Sequence, residues 1–106
     1  MDAQLRALAE PRRRDILRLV WSRELPAGSI AAHFAVTRPA ISQHLTVLKD
    51  AGLIMERRDG TRRLYQARPE RLSEVLAYLQ GFWPERLAVL KELAEAEARE
   101  ERSRDE

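Results

Sequence analysis

The sequence has no cysteine. That absence removes disulfides, thiolate metal sites and cysteine nucleophiles together. Histidine is confined to His33 and His44, and neither has a second imidazole or a thiolate at ligand spacing. No phosphate loop or nucleophile–base arrangement is present, and the acidic side chains are spread along helix surfaces, so an enzyme is the weakest of the functional classes and no cofactor is expected. No apolar run approaches the length of a membrane span, and the N-terminal residues lack the apolar stretch of a signal peptide. A cytoplasmic protein with no membrane partner is the expectation.

What the chain does have is arginine. Of its 19 basic residues 17 are arginine, the side chain best shaped for bidentate contact with phosphate or guanine. Genomic base composition explains such an excess equally well, but it does not explain the clustering. The net charge of +2 hides a middle segment, Arg38 to Arg71, at +4 and a C-terminal segment, Leu72 to Glu106, at −4. The middle third therefore points to a polyanion partner.

At 106 residues the chain is one domain by size. Ala3 to Ala9 reads as a short helix behind an N-cap at Asp2. Glu10-Pro11 breaks it, and a second helix is expected from Pro11 to about Arg23 with Ile16, Leu17, Val20 and Trp21 on one stripe. Arg12, Arg13 and Arg14 crowd its first turn, where positive charge opposes the helix dipole; a solvated face or an acidic or phosphate neighbour would account for them. Ala27 to Phe34 forms a third helix with Ile30, Ala31 and Phe34 turned inward.

Thr37 to Gly52 is the stretch around which the rest is organised. Thr37 suits an N-cap and Gly52 a C′ position, while Ile41, Leu45 and Leu48 make an apolar stripe. Arg38, Ser42, Gln43, Thr46 and Lys49 fall on the other side. Only Ala35 and Val36 separate this helix from the one before, which makes the pair a helix-turn-helix candidate. After Gly52 the period changes. Leu53 to Arg58 and Thr61 to Ala67 flank Asp59-Gly60, which suits a type I′ hairpin in which Arg58 faces Thr61, Glu56 faces Arg63, Met55 faces Leu64 and Ile54 faces Tyr65. Pro69 opens a fifth helix carrying Leu72, Val75, Leu76 and Leu79. Gly81 and Pro84 interrupt it, and a sixth helix follows from Pro84 to about Glu101. The expected fold is mainly α with a small β-hairpin, a winged helix-turn-helix. Residues 1–101 would form the domain with its terminal helices, and 102–106 a charged, frayed tail.

With that element order, the segments LAEPRRRDIL (8–17), TRPAISQHLTVLKDAGL (37–53) and RRDGTRRLYQ (57–66) make the chain resemble the arsenic-repressor (ArsR/SmtB) family of winged helix-turn-helix regulators. The resemblance covers nearly the whole chain. It implies a homodimer whose first and last helices form the interface, and repression of transcription from a palindromic operator in double-stranded DNA. The chain departs from the metal-sensing members. Their thiolate pair at the start of the third helix would align with Pro26 and Gly28, and the helices after the wing, Leu72 to Arg99, contain no histidine. A signal other than a metal, or simple autorepression, is the expectation, with a metal-responsive repressor using an unrecognised site as the alternative.

Within that frame, Arg38, Ser42 and Gln43 occupy the helix turns that reach base edges, where arginine pairs with guanine and glutamine with adenine. Thr37, Pro39 and Lys49 border the backbone side. His44, next to the apolar Leu45, suits a structural hydrogen bond as well as it suits a DNA contact. Arg57, Arg58, Arg62 and Arg63 flank the wing tip as backbone or minor-groove contacts. Arg63 is the weakest of these, because Glu56 lies across the strands, and a charge-protected edge hairpin is the alternative for all four. Leu5, Leu8, Leu76, Leu79, Phe82, Trp83, Leu87 and Leu90 are the expected dimer interface, unless they finish a monomer core. Trp21, Phe82 and Trp83 could border an apolar effector pocket, although three aromatics in a helical protein more often belong to its core. A winged-helix module that binds another protein is the competing function.

Overall fold

The computed structural model describes residues 1–82 and 84–105, with side chains described for 1–81 and 88–104. The elements run α1 (Asp2–Ala9), α2 (Pro11–Leu19), β1 (Leu25–Pro26), α3 (Ala27–Phe34), α4 (Arg38–Asp50), β2 (Ile54–Asp59), β3 (Arg62–Ala67), α5 (Pro69–Phe82) and α6 (Pro84–Asp105). This is the expected mainly α winged helix-turn-helix, with a three-stranded antiparallel sheet in the order β1-β3-β2. The chain divides into two compact units, Met1–Val75 and Leu76–Glu106.

The core of the first unit is built from the predicted stripes. Ile16, Leu17 and Val20 enter from α2 and its C-cap, Ile30 and Ala31 from α3, and Ile41, Leu45 and Leu48 from α4; Leu53 and Ile54 close it from below the wing. Each large side chain removed from water there contributes about 1.5–3 kcal/mol before the entropy cost of ordering it. Among the described residues no buried side chain is charged or polar.

Both helices of the helix-turn-helix end on a left-handed residue. At the end of α4, Gly52 (φ 76°) follows the C-cap Ala51; the Gly52 amide donates to the Lys49 carbonyl at 2.9 Å and the Leu53 amide to the Leu48 carbonyl at 3.0 Å. This Schellman pairing brings Leu53 against Leu48, both fully buried, and turns the chain into the wing. After α3 the same turn is made by Ala35 at φ 53° and ψ 40°, with the Val36 amide donating to the Ala31 carbonyl at 3.2 Å. An L-residue with a Cβ is strained there by about 1–2 kcal/mol. Ala35 is exposed, so no packing is lost on removing its methyl. Ala35→Gly is therefore expected to raise stability by about 0.5–1 kcal/mol once the added freedom of the unfolded chain is deducted. Urea unfolding at a fixed protein concentration checks this, and a lower midpoint would refute it.

Several boundaries differ from the sequence expectation. α1 begins at Asp2, with Met1 as an N-cap that makes no side-chain hydrogen bond, so Asp2 is a first-turn acid and not the cap. α2 ends at Leu19, and Trp21, expected on its buried stripe, is 45% exposed in the bend that follows. That bend is needed because Leu25–Pro26 forms a strand against β3, pairing Leu25 with Tyr65 and Pro26 with Leu64. Two residues, one of them a proline without an N–H, carry no strand signature, and an edge position is where proline is tolerated. α5 runs through Gly81 to Phe82, and α6 continues to Asp105, past the expected end near Glu101.

The hairpin sits where expected, but its register is shifted by two. Asp59 pairs with Arg62, Arg58 with Arg63, Arg57 with Leu64, Glu56 with Tyr65, Met55 with Gln66 and Ile54 with Ala67. The loop is thus Gly60-Thr61. Only Gly60 has positive φ (65°), the signature of a type II′ turn; a type I′ turn at Asp59-Gly60 would put Asp59 there as well. A shift of two keeps every side chain on its expected face but changes its neighbour. Met55, expected opposite Leu64, stands opposite Gln66 and is half exposed.

Candidate nucleic-acid interface

The exposed side of α4 and the wing meet on one face of the first unit. Thr37 caps α4 by accepting the Ala40 amide on its hydroxyl oxygen at 3.4 Å, and Pro39 has no amide hydrogen to satisfy. Of the amides ahead of the helical ladder, that leaves those of Thr37 and Arg38, while the Thr37 O–H proton stays available to a phosphate oxygen. Arg38, Pro39, Ser42 and Gln43 are all exposed, and the two turns they occupy are held by Ile41 and Leu45 beneath them. Thr46 turns its hydroxyl back onto the Ser42 carbonyl at 2.9 Å, which removes it from the outward-facing donors.

The basic side chains fall into two groups. Glu56 holds Lys49 at 3.1 Å and Arg63 at 3.4 Å, the latter diagonally across the strands now that Tyr65 is its direct partner. Glu24 holds Arg57 at 2.9 Å, and Asp59 lies 3.6 Å from Arg62 across the turn. Arg38 and Arg58 make no ion pair among the described residues. Exposed pairs of this kind are worth about 0–1 kcal/mol and exchange readily for a stronger anion. Arg38 and Arg58 would have no pair to give up.

Between the start of α3, the first turns of α4 and the wing lies an open cleft of about 610 Å³, lined by Ser29, Arg38, Ser42, Arg62, Arg63 and Tyr65 among others. Burial, and then the nearby Glu56 carboxylate, hold the Tyr65 phenol above its ordinary pKa, so it is a hydrogen-bond donor throughout the neutral range.

His44 is half-buried on α4 beside the start of α2. Burial first, then the Arg13 and Arg12 guanidiniums, depress its pKa below the ordinary value of 6.5, with Glu10 opposing them. The folded chain thus binds fewer protons at His44 than the unfolded chain, and stability falls as pH drops below the unfolded pKa of about 6.5. An NMR titration of the His44 ring is expected to show a midpoint below that of the same ring in a denatured control. A midpoint above the control would contradict this environment.

The three arginines in the first turn of α2 have partners that sequence reasoning missed. Arg13 donates to the carbonyls of Ala7 (2.8 Å) and Arg6 (3.1 Å), and Arg14 to those of Leu8 (2.7 Å) and Ala9 (3.2 Å). They cap the C-terminus of α1, where positive charge is favoured. Arg12 lies over the Phe34 ring at 4.8 Å, a cation–π contact that ties α2 to α3. α1 is also tied to the far end of α4, because the Gln4 amide donates to the Ala51 carbonyl at 3.0 Å. These links span turns and folded distance, so no local motif announces them.

Of the expected dimer residues, Leu5 and Leu8 are half-buried on α1. Leu76 is 55% and Leu90 61% exposed, while Leu79 is half-buried. The side chains of Phe82 and Leu87, and Trp83 altogether, lie outside the described residues, so the effector pocket imagined beside Trp21 does too. Among the described residues no cluster of three His, Asp or Glu side chains is arranged to hold a metal ion, and no helix is long and apolar enough to cross a membrane.

Residues 10–56 match the family model described as "Bacterial regulatory protein, arsR family". Among curated proteins, the chain is 40% identical to the HTH-type transcriptional regulator Rv2034 of Mycobacterium tuberculosis, over 91% of this chain and 90% of that protein. It is 34% identical to the transcriptional repressor SdpR of Bacillus subtilis, over 77% and 91%. Among solved structures, a possible transcriptional regulator for arsenical resistance superposes with a TM-score of 0.71 at 44% identity, covering 82% of this chain and 91% of that one. The homodimeric winged helix-turn-helix DNA-binding domain of Mb0332 from Mycobacterium bovis superposes with a TM-score of 0.65 at 32% identity, covering 79% and 78%.

Proposed function

Because this chain belongs to the arsR family of bacterial regulatory proteins, a family of transcriptional regulators, we propose that it acts as a homodimeric, sequence-specific repressor on a palindromic operator. The observation that carries this reading is the single exposed face formed by Arg38, Ser42 and Gln43 with the wing arginines, set on a rigid apolar stripe. In a helix-turn-helix docked in the major groove, Arg38, Ser42 and Gln43 reach base edges. Thr37, Pro39 and Lys49 lie along the phosphates, and Arg57, Arg58, Arg62 and Arg63 grip the backbone or minor groove beside them. His44 serves the fold in this reading. Residues 1–101 act as one unit of function, the last two helices joining α1 to pair two copies.

Two observations support the dimer. Leu76, Val89, Leu90 and Leu93 expose more than half of their surface on helices where a solitary chain would gain from covering them. The Mb0332 domain, a structural neighbour, is itself homodimeric. Twofold symmetry would then set the recognition helices about 34–36 Å apart, one turn of DNA. The releasing signal is proposed to be something other than a metal, since Pro26 and Gly28 carry no donor side chain and no histidine follows the wing.

The test is a footprint of the purified protein on the DNA upstream of its own gene, with Gln43→Ala beside it. Wild type should protect a palindrome. The variant should lose discrimination at one base pair per half-site, by about 1–3 kcal/mol, while keeping its nonspecific affinity. No protection at low salt would sink the proposal. Binding that survives loss of Arg58, ignores salt and depends on Leu79 would instead favour a module that recognises another protein.

A further inference from the structure

The cleft beside the recognition helix has a feature that arginines alone do not explain. Its lining includes Ser29, from the start of α3, and Tyr65, from the middle of β3, thirty-six positions apart in sequence and joined only because β1 threads against β3. Neither hydroxyl makes a hydrogen bond within the chain among the described residues. The Arg38 guanidinium borders the same space without an ion pair. Gly28 also borders the cleft, and a Cβ added to it would meet nothing within 4 Å, so the space is left open by a missing side chain and not enforced by backbone crowding. At about 610 Å³ it is larger than one anion requires and lies in the range of sites that hold a nucleotide-sized group.

We propose that this cleft seats one backbone phosphate of the bound DNA strand in each half-site, with the Ser29 and Tyr65 hydroxyls as neutral donors beside the Arg38 guanidinium. The proposal rests on the DNA-binding reading above and adds to it two residues and a vacancy. Neutral donors and cations act differently on a phosphate. A guanidinium displaces condensed counterions, and its loss flattens the salt dependence of binding, whereas a hydroxyl displaces none. The two hydroxyls therefore fix where the strand lies without adding to the salt slope, and they carry no base information. Because Arg38 also stands at the first turn of α4, a strand held here sets how deeply Ser42 and Gln43 enter the groove.

The experiment compares full-length wild type, Ser29→Ala, Tyr65→Phe and Gly28→Gln on the upstream duplex, across a range of salt. Each duplex is also made with a single neutral methylphosphonate at successive positions. The two hydroxyl variants are expected to bind about tenfold or more weakly on every sequence, with two lost contacts per dimer and an unchanged salt slope, and Gly28→Gln should weaken binding as well. One methylphosphonate position per half-site should weaken wild type more than it weakens Tyr65→Phe, which has already lost one of the contacts to that phosphate. Gly28→Gln guards against a folding artefact, because its Cβ meets nothing within 4 Å and replacing a helical glycine should not lower the melting temperature, while the longer side chain takes up space in the cleft. If wild type binds and the variants match it at every methylphosphonate position, the seat is refuted; the same result would follow if the cleft served a free phosphate ester and not the strand. If wild type binds no DNA, the regulatory reading itself fails and the seat with it.

Discussion

Leu48→Ala is expected to lower the stability of the first unit by about 3 kcal/mol, a large part of the 5–15 kcal/mol typical of a domain. Leu48 is fully buried, and its backbone carbonyl is the acceptor that closes the turn after α4. Its side chain packs in the core while Leu53, the residue whose amide reaches back to it, is buried alongside. Truncation removes the transfer energy of the lost atoms and opens a cavity where the recognition helix joins the wing. For a domain of this size the melting temperature should fall by about 12–24 °C. The measurement needs matched protein concentrations, since any self-association would contribute to apparent stability. Val47→Ala is the control. Val47 is the preceding residue on the same helix but is 38% exposed, so its truncation should cost well under half as much. Equal losses for the two would mean that the stripe is not what anchors α4.

The recognition helix was legible because three independent signals agreed on it. Ile41, Leu45 and Leu48 recur at helical spacing, Thr37 supplies the cap, and Gly52 supplies the left-handed stop; the structure uses all of them. Agreement across levels is what makes a segment predictable. The wing was half legible. A period-2 pattern fixes which face each side chain takes, but two registers that differ by two residues satisfy it equally. What selects between them is the sign of φ at Asp59 and Gly60, which a dipeptide preference for type I′ turns does not decide. β1 was not legible at all, since two residues cannot show alternation.

The candidate site divides in the same way. Arg38, Ser42 and Gln43 follow from the helix face, so finding that face also finds them. Ser29 and Tyr65 follow from the sheet: only the pairing of Leu25 with Tyr65 brings the start of α3 beside β3. The arginines of α2 show a different limit. Considered with α2 alone, Arg13 and Arg14 oppose a helix dipole; with α1 folded back they satisfy the carbonyls at its end. Their residue type was informative, but its meaning depended on a neighbour across the Glu10-Pro11 break.

Arg38→Ala combined with Arg58→Ala is expected to reduce affinity for the proposed operator by about three orders of magnitude near 0.1 M salt. These are the two cations of the site with no ion pair among the described residues, so neither has to leave a carboxylate before it meets a phosphate or a guanine. The proposed dimer loses four positive charges in the double variant. With each neutralised phosphate contributing about 0.9 to the slope of log affinity against log salt, the slope should become shallower by about 2 from the Arg58 pair and by about 4 with Arg38 seated on the strand as well, and the wild-type and variant lines should converge toward 1 M. Arg57→Ala with Arg63→Ala makes the counterpart. Those cations are held by Glu24 and Glu56, and removing them frees the carboxylates to repel the strand, so affinity should fall as well. Lys49, which Glu56 also holds, should partly offset the freed Glu56 charge. The lines for this pair are therefore expected to be displaced less than those for Arg38 and Arg58, with a smaller change in slope. A larger slope change for the paired arginines would overturn the division of the site into engaged and available cations.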